Sequence, residues 1–561
     1  MKIIRFVGIV VILGLFPYSC AKKGTPTGGA IDSIPPVLVN ASPKQNTLFF
    51  DKNEITLTFD EYIKLEDLSK QLIISPPLES DKYDVEPKTT ISKKIVIELL
   101  DSLTPETTYT FNFGESVVDN NEGNVLPFFS YTLSTGSTID SLTMRGKVLD
   151  AFDAETDPYI SLQLYPVDSA YTDSTVYKQA PLYVSSTLDS TLYRFQNLKV
   201  GTYEIIALRD AASNYFFDQN TDKIGFYDRY ITLPQDSVID LKIFKEITNF
   251  SWARPYFVND HHIGLPYYGE YSNQEMKMIS EVPETFESLI TKNPETDTLN
   301  YWFKGAALDS LKFEYALADS LRTTTVKFNK PVADSLVVTA ITGRSLNLRD
   351  TFQLKSNLPI VAVNPQKIAI ENIDSTAVPF TTSINSNYDK VALIFDIAPS
   401  DKYQIKLLPE ALVDFFDNTH DTLSFETSTK KIEDYGTIII QLEYLDNTPY
   451  ILEVVNRDKV VRKVSDTNGQ QRFTFDLLPP GNYTLRFIVD ANGNQQWDTG
   501  NYLKKVQAEE VLYFPTPIEL RANWDINEVI NVAQIRRDLQ ETATASATLE
   551  ANPNSTSQEE L

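Results

Sequence analysis

The chain has 561 residues, 42% of them hydrophobic and 11% aromatic, enough to fill several cores of about 100 to 150 residues each. Its formal net charge of −26 argues against nucleic acid as a partner. Its single cysteine excludes an internal disulfide and any multi-cysteine metal site, so stability must rest on packed cores.

Lys2 and Arg5 precede an apolar run from Val7 to Phe16, and Ser19 then precedes Cys20. That run is shorter than the roughly 20 residues that cross a bilayer, so residues 1–19 read as a signal peptide. Losing Lys2 and Arg5 with it takes the charge from −26 to −28. The arrangement resembles a bacterial lipoprotein signal, which implies that Cys20 becomes the lipidated first residue of the mature chain. A lipid anchor stores membrane affinity in its buried CH2 groups, so no transmembrane helix is needed. Residues 20–33 (CAKKGTPTGGAIDS) are rich in Gly, Pro and Thr and read as a flexible tether.

Short alternating runs follow, separated by Asp, Asn, Gly and Pro. Examples are Glu54 to Phe59 (EITLTF), Lys94 to Leu99 (KIVIEL), Thr108 to Phe113 (TYTFNF) and Gly436 to Leu442 (GTIIIQL). Period-two patterning with frequent turn signals predicts an all-β chain of antiparallel sandwiches. The expected modules are residues 34–138, 139–247, 248–344, 345–430 and 431–530, followed by a polar, largely disordered tail at 531–561.

The chain carries an internal duplication. Tyr109-Thr-Phe-Asn-Phe with Val117-Val-Asp is echoed by Tyr403-Gln-Ile-Lys-Leu with Leu412-Val-Asp. Phe195, Leu198, Gly201, Tyr203 and Asp210 recur as Phe475, Leu478, Gly481, Tyr483 and Asp490, with no gap. The order is A–B, a spacer domain, then A′–B′, and repetition on this scale implies a modular rod or stack. The Phe and Tyr are expected to enter the core from neighbouring strands, with the Gly permitting the tight turn between them.

The A unit resembles the bacterial Ig-like domain of S-layer-type proteins. The residues that carry the resemblance are Pro35-Pro36, Ser42-Pro43, Ile55 to Phe59, Leu103 to Tyr109, Val118-Asp119 and Gly123-Asn124. The B units resemble carboxypeptidase-regulatory or collagen-adhesin B-type modules, which implies prealbumin-like sandwiches without peptidase activity. The ensemble looks like the Ig-like lipoproteins of Bacteroidota.

Among candidate sites, Asp490, Asn492, Asn494 and Asp498 place oxygens at calcium-loop spacing around Gly493, with Asp210, Asn214 and Asp218 as the earlier counterpart. Calcium binding and an Asx-rich turn both fit this pattern. His261, His262 and His420 have no motif around them. No Gly-x-Ser-x-Gly elbow, His-Glu-x-x-His pair or Gly-rich phosphate loop occurs, and the chain reads as non-enzymatic. Trp252, Tyr256, Tyr267 and Tyr268 fit either glycan stacking or core packing.

Asp followed by Ser or Thr and then Ala, Ile, Leu, Val or Thr occurs at thirteen positions, among them Ser102, Ser169, Ser237, Thr298, Ser310, Ser320, Ser335 and Thr422. The pattern resembles the O-glycosylation acceptor of Bacteroidota. These readings converge on an outer-membrane lipoprotein, its periplasmic or surface face unassigned. Its partners would be the bilayer, through Cys20, and an envelope complex or a glycan. A structural scaffold or binding module is the leading role, and an accessory subunit of an outer-membrane assembly, secretion or uptake complex and a glycan-binding surface protein are the alternatives.

Overall fold

The computed structural model describes residues 32–537, apart from 260, 273, 294, 306–307, 318–319, 329–334, 444–447, 458 and 467–469. The signal peptide, Cys20 and the tail beyond 537 lie outside the described residues. The chain divides into two compact units, one ending at Ile139 and one beginning at Asp140. The fold is all-β and mainly antiparallel. No described helix is long and apolar enough to cross a membrane.

The first unit is a single sandwich. Glu54–Leu65 is its central strand, flanked by Leu38–Ser42 and Ser92–Leu99, with Tyr83–Glu86 at the edge and Val117–Asp119 on its distal half. Ile73–Ser75, Thr108–Asn112 and Ser130–Ser134 form the opposing sheet. Alternation puts Ile55, Leu57, Phe59, Ile95 and Ile97 inside, against Tyr109, Phe111, Tyr131 and Leu133.

The second unit begins with a sandwich over residues 142–243. Its outer sheet has the order Tyr183–Ser186, Ser161–Pro166, Gly201–Arg209, Lys223–Phe226, with Ile231–Leu233 also on Gly201–Arg209. Its smaller sheet is Leu192–Leu198, Leu142–Asp150, Leu241–Ile243. The last sandwich repeats both orders. Lys459–Asp466, Tyr450–Asn456, Gly481–Val489 and Val511–Tyr513 carry Ile518–Leu520, and Arg472–Leu478, Gly436–Glu443 and Asp525–Asn531 face them. In both, the first and last strands pair in parallel, the exceptions to the antiparallel expectation.

The duplication extends to single hydrogen bonds. Tyr109 accepts from Thr104 N and Tyr403 from Ala398 N. Thr135 and Thr429 donate to the carbonyls of those same two residues. Tyr203 donates to Lys199 O, and Tyr483 to Pro479 O.

The repeated glycines have another reason than the one expected. Phe195 and Tyr203 lie on opposing sheets, and neither Gly201 nor Gly481 has a positive φ. The left-handed residues are Asn197 and Leu477, at φ 57° and 51°. Each sits in a bulge where the strand leaves its partner. Gly201 instead makes room for the ring of Tyr203, whose atoms stand 3.1–3.2 Å from where a Cβ would be.

Two expected boundaries move. Val338–Ala340 pairs with Phe352–Ser356, and Leu336, Val338 and Ala340 pack on the fourth core. The fourth sandwich therefore begins before residue 345. At the other end Val532 and Ile535 are buried in the fifth core, so residues 531–537 continue the fold and do not belong to a polar tail.

Within the second unit the modules are not simply strung in chain order, because the second and fifth sandwiches pack on one another. Lys304 and Asp417 pair the third sandwich with the fourth at 2.7 Å, and Arg349 and Asp476 pair the fourth with the fifth at 2.5 Å. The second unit thus closes its contacts on itself.

Candidate functional site

The packing of the second sandwich on the fifth is built from a short loop. In Gly500–Val506 the backbones of Asn501 and Val506 bond each other in both directions, and Asn501 Oδ1 accepts from Lys504 N. This miniature hairpin offers Tyr502 at its corner. Tyr502 is 0% exposed, and it sits among Tyr165, Ile206, Leu208, Phe226 and Phe244 of the second sandwich.

The receiving surface follows from strand alternation. Along Gly201–Arg209, Tyr203, Ile205 and Ala207 face the module's own core. Glu204, Ile206 and Leu208 face outward, and all three are buried. An unbroken apolar run such as Ile205-Ile206-Ala207-Leu208 is what a strand covered on both faces requires. Tyr450–Asn456 of the fifth sandwich has the same character, with both faces buried.

Polar groups fix the register of the junction. Tyr171 and Tyr502 hydroxyls are 3.1 Å apart. Glu246 accepts from Tyr502 N and from Gln219 Nε2. Thr499 donates to Lys245 O at 2.6 Å, and Gln507 to Phe226 O at 2.9 Å. Lys505 pairs with Glu204 at 2.9 Å and Asp173 at 3.0 Å, with its ammonium 4.0 Å from the Tyr502 ring centre. Burial raises the Glu204 carboxyl, and Lys505 offsets part of that rise. Burial likewise holds the hydroxyls of Tyr171 and Tyr502 far above their usual range.

A second contact lies alongside. The Phe152 ring lies tilted 4.8 Å from that of Trp497, the Phe152 carbonyl accepts from Tyr513, and Arg486 lies 4.3 Å from the Phe152 ring centre while pairing with Glu453 at 2.6 Å. Next to it an open cleft of about 1160 Å3 is lined by residues of both modules, including Glu155, Arg457, Asn482, Arg486 and Arg521.

The structure brings Asp490, Asn492, Asn494 and Asp498 together. Asp490 accepts from Asn494 N and Gln495 N, and Asn492 and Asn494 accept from Asn494 N and Gln496 N. The amides of Asn492 and Asn494 donate to Asp498 at 2.5 and 2.8 Å. These side-chain oxygens therefore already serve the turn itself. In the earlier loop Asp210 accepts from Ala212 N and Tyr215 N, Asn214 from Phe216 N, and Asp218 from Asn220 N. No hydrogen bond joins those three side chains to one another. Among the described residues no group of three or more His, Cys, Asp and Glu is arranged to hold a metal ion.

The histidines serve packing. His262 stacks on Trp302 at 3.8 Å, His261 lies edge-on to Phe303, and buried His420 accepts from Leu412 N. Trp252 and Tyr267 are 4% and 3% exposed in the third core, which overturns glycan stacking by those two rings. Tyr256 and Tyr268 remain exposed. Of the Asp-Ser/Thr positions, Ser102, Ser169, Ser237, Ser320, Ser335 and Thr422 are exposed. Ser310 is half-buried, and Thr298 is buried within Thr298–Lys304, where no glycan fits.

Residues 32–135 match the bacterial Ig-like domain family. No curated protein matches the chain. Among solved structures, native alpha-2-macroglobulin of Escherichia coli is 9% identical, with 33% of this chain and 97% of that one covered at a TM-score of 0.17. Surface layer protein SbsC, domains 1–6, is 12% identical over 88% of this chain and 67% of that one, at 0.16. The major pilin subunit of Bacillus cereus is 12% identical over 69% and 99%, at 0.13. Superposition this weak assigns no role. The family match makes the first sandwich similar to a bacterial Ig-like domain, a non-catalytic fold of structural and binding surface proteins.

Proposed function

We propose that this chain is a non-enzymatic lipoprotein of the cell envelope, held at the outer membrane by Cys20 and acting as a scaffold. The observation that carries the scaffold reading is the Tyr502 junction. It consumes the buried polar groups of two modules in positioning one against the other, which suits a rigid support better than a reaction centre. Asp-Ser/Thr sites that stay exposed, such as Ser237 and Ser335, are proposed as points of glycan attachment, which add bulk and solubility at the surface.

A second reading, an accessory subunit of an outer-membrane complex, is favoured by the open cleft beside the junction. One experiment separates the two. A C-terminally tagged chain is extracted from native membranes in mild detergent, beside Cys20→Ser, and co-purifying proteins are identified by mass spectrometry. A stoichiometric membrane partner supports the subunit. A wild-type chain recovered alone from membranes, with the variant soluble, supports a free-standing scaffold. A wild-type chain that is itself soluble overturns the anchor.

A further inference from the structure

The first sandwich carries an exposed apolar surface at one end. It comprises Ile34, Val37, Val39, Tyr62, Val125 and Phe128, with Phe128 exposed by 68%, Ile34 by 65% and Tyr62 by 54%. Hydrogen bonds knit these segments together. Asn124 donates to the carbonyls of Asp32 and Ile34, Asn120 N donates to Tyr62 O, and Val37 bonds Asp60 in both directions. Val125 bridges Val118. Phe128 takes φ 53°, which a bulky residue rarely adopts, and its ring is exposed while Phe129 packs into the core.

This is the end at which the chain enters. Ser130 pairs with Asn112 here, whereas Ser134 pairs with Thr108 at the far end, where Phe49 N meets Gly136 O and the chain leaves. The four steps of Ser130–Ser134 set those ends about 13 Å apart. Eleven residues separate Cys20 from Asp32, and a chain of that length reaches at most about 40 Å.

We propose that this end of the first sandwich lies on the bilayer, with Phe128, Tyr62 and Ile34 seated among the lipid headgroups. The proposal rests on Cys20 being the lipidated residue. Aromatic rings favour the headgroup level, and a second contact strengthens a lipid anchor. Lys93 fits the same surface. Its ammonium stands 5.3 Å from the Tyr62 ring centre and donates to Asp60 O. Asp32, Asp60, Asp119 and Glu122 gather around Glu61 close by. Negative charges near this surface repel an anionic bilayer, so a zwitterionic one is the better match.

The test uses the lipidated full chain returned to phosphatidylcholine vesicles. Lipidation consumes the only thiol, so Phe128→Cys supplies a unique site for a nitroxide. Phe49→Cys, at a residue 65% exposed at the far end of the same sandwich, is the control. On vesicle binding the label at 128 is expected to lose several-fold in collision with a water-soluble nickel chelate and to gain collision with oxygen, with little change at 49. A bound protein whose two labels meet nickel equally overturns the surface and leaves the anchor standing. A label at 128 shielded from both nickel and oxygen signals protein cover and also overturns it. A protein that stays in solution removes the Cys20 reading and the proposal together.

Discussion

The hydroxyl of Tyr502 stands 3.1 Å from that of Tyr171, although 331 residues separate them in the chain. The pair joins the two copies of a repeated module, and the asymmetry of the contact is informative. The fifth sandwich supplies the loop and the second supplies the socket, so two similar modules meet through dissimilar surfaces. Duplication provided the folds, and the loop after Asp490 provided the junction.

Tyr502→Ala is expected to cost about 3–5 kcal/mol, the range for deleting a large buried ring. Tyr502→Phe keeps the ring and leaves Tyr171 short of one partner, at about 1 kcal/mol. The loss should be local. Hydrogen exchange would show faster exchange along Gly201–Arg209 and at Val506, with the first sandwich unchanged. Uniform protection in the Ala variant would mean that the junction contributes no stability.

Gly500→Ala should weaken the same contact by overpacking. A Cβ there would meet Phe244 Cζ at 2.4 Å and Val506 O at 2.6 Å. Backbone cannot yield as a flexible side chain can, so a cost of about 1–3 kcal/mol is expected. Gly493→Ala is the comparison, with open space around its Cβ but φ +74°. It should cost about 1 kcal/mol through backbone strain alone and leave the junction intact. Thermal unfolding of both variants decides between the two causes.

Lys505→Met isolates the buried ion pair. It leaves Glu204 buried without its main compensating charge, and breaking such a pair costs about 3 kcal/mol at pH 7. Burial already raises the folded-state carboxyl above its unfolded value, and removing the ammonium raises it further. The penalty for ionised Glu204 is therefore present above that folded value and fades as falling pH lets it take up a proton. The stability gap between variant and wild type should narrow from pH 7 to pH 4. A gap independent of pH would assign the loss to packing of the Lys505 stem over Tyr502.

Much of this fold was legible in the sequence because its signals are local. Alternation in EITLTF and KIVIEL sets which residues face inward, and the offset shared by Phe195, Leu198, Gly201, Tyr203 and Asp210 marks the repeated module. The junction was hidden because Tyr502 lies in a loop whose partner is remote in sequence. One signal for it existed. Ile205-Ile206-Ala207-Leu208 is too continuously apolar for a strand with one wet face. Trp252 was ambiguous for the opposite reason, since an aromatic cluster looks alike in a core and on a binding surface. Thr298 has the same local motif as Ser237, and only the sheet on both sides of it distinguishes them.

Tyr268→Ala, rather than Trp252→Ala, is the informative test of glycan binding. Trp252 packs against Phe250, Tyr267 and Tyr271, so its removal is expected to cost about 3–5 kcal/mol and to disturb any binding indirectly. Tyr268 is exposed, and its replacement should change stability by less than about 0.5 kcal/mol. Affinity electrophoresis in polysaccharide gels, run beside thermal unfolding, gives a clean answer. Unchanged melting with lost retention would identify a stacking ring, and unchanged retention would remove Tyr268 from consideration.

Asp490→Ala tests what the acidic loop is for. Asp490 is buried and holds two backbone N–H groups, from Asn494 and Gln495, so its loss should cost about 2–3 kcal/mol whether or not calcium is present. The oxygens of Asn492 and Asn494 are already accepting backbone N–H groups, and Asp498 takes both of their amides. Binding calcium would require rebuilding the turn. Millimolar calcium is therefore expected to leave the wild-type melting temperature where it is, and the variant should melt lower by the same amount with calcium or with chelator. A calcium-dependent rise in wild type that vanishes in Asp490→Ala would show that the turn opens to take the ion, and would make the loop a metal site after all.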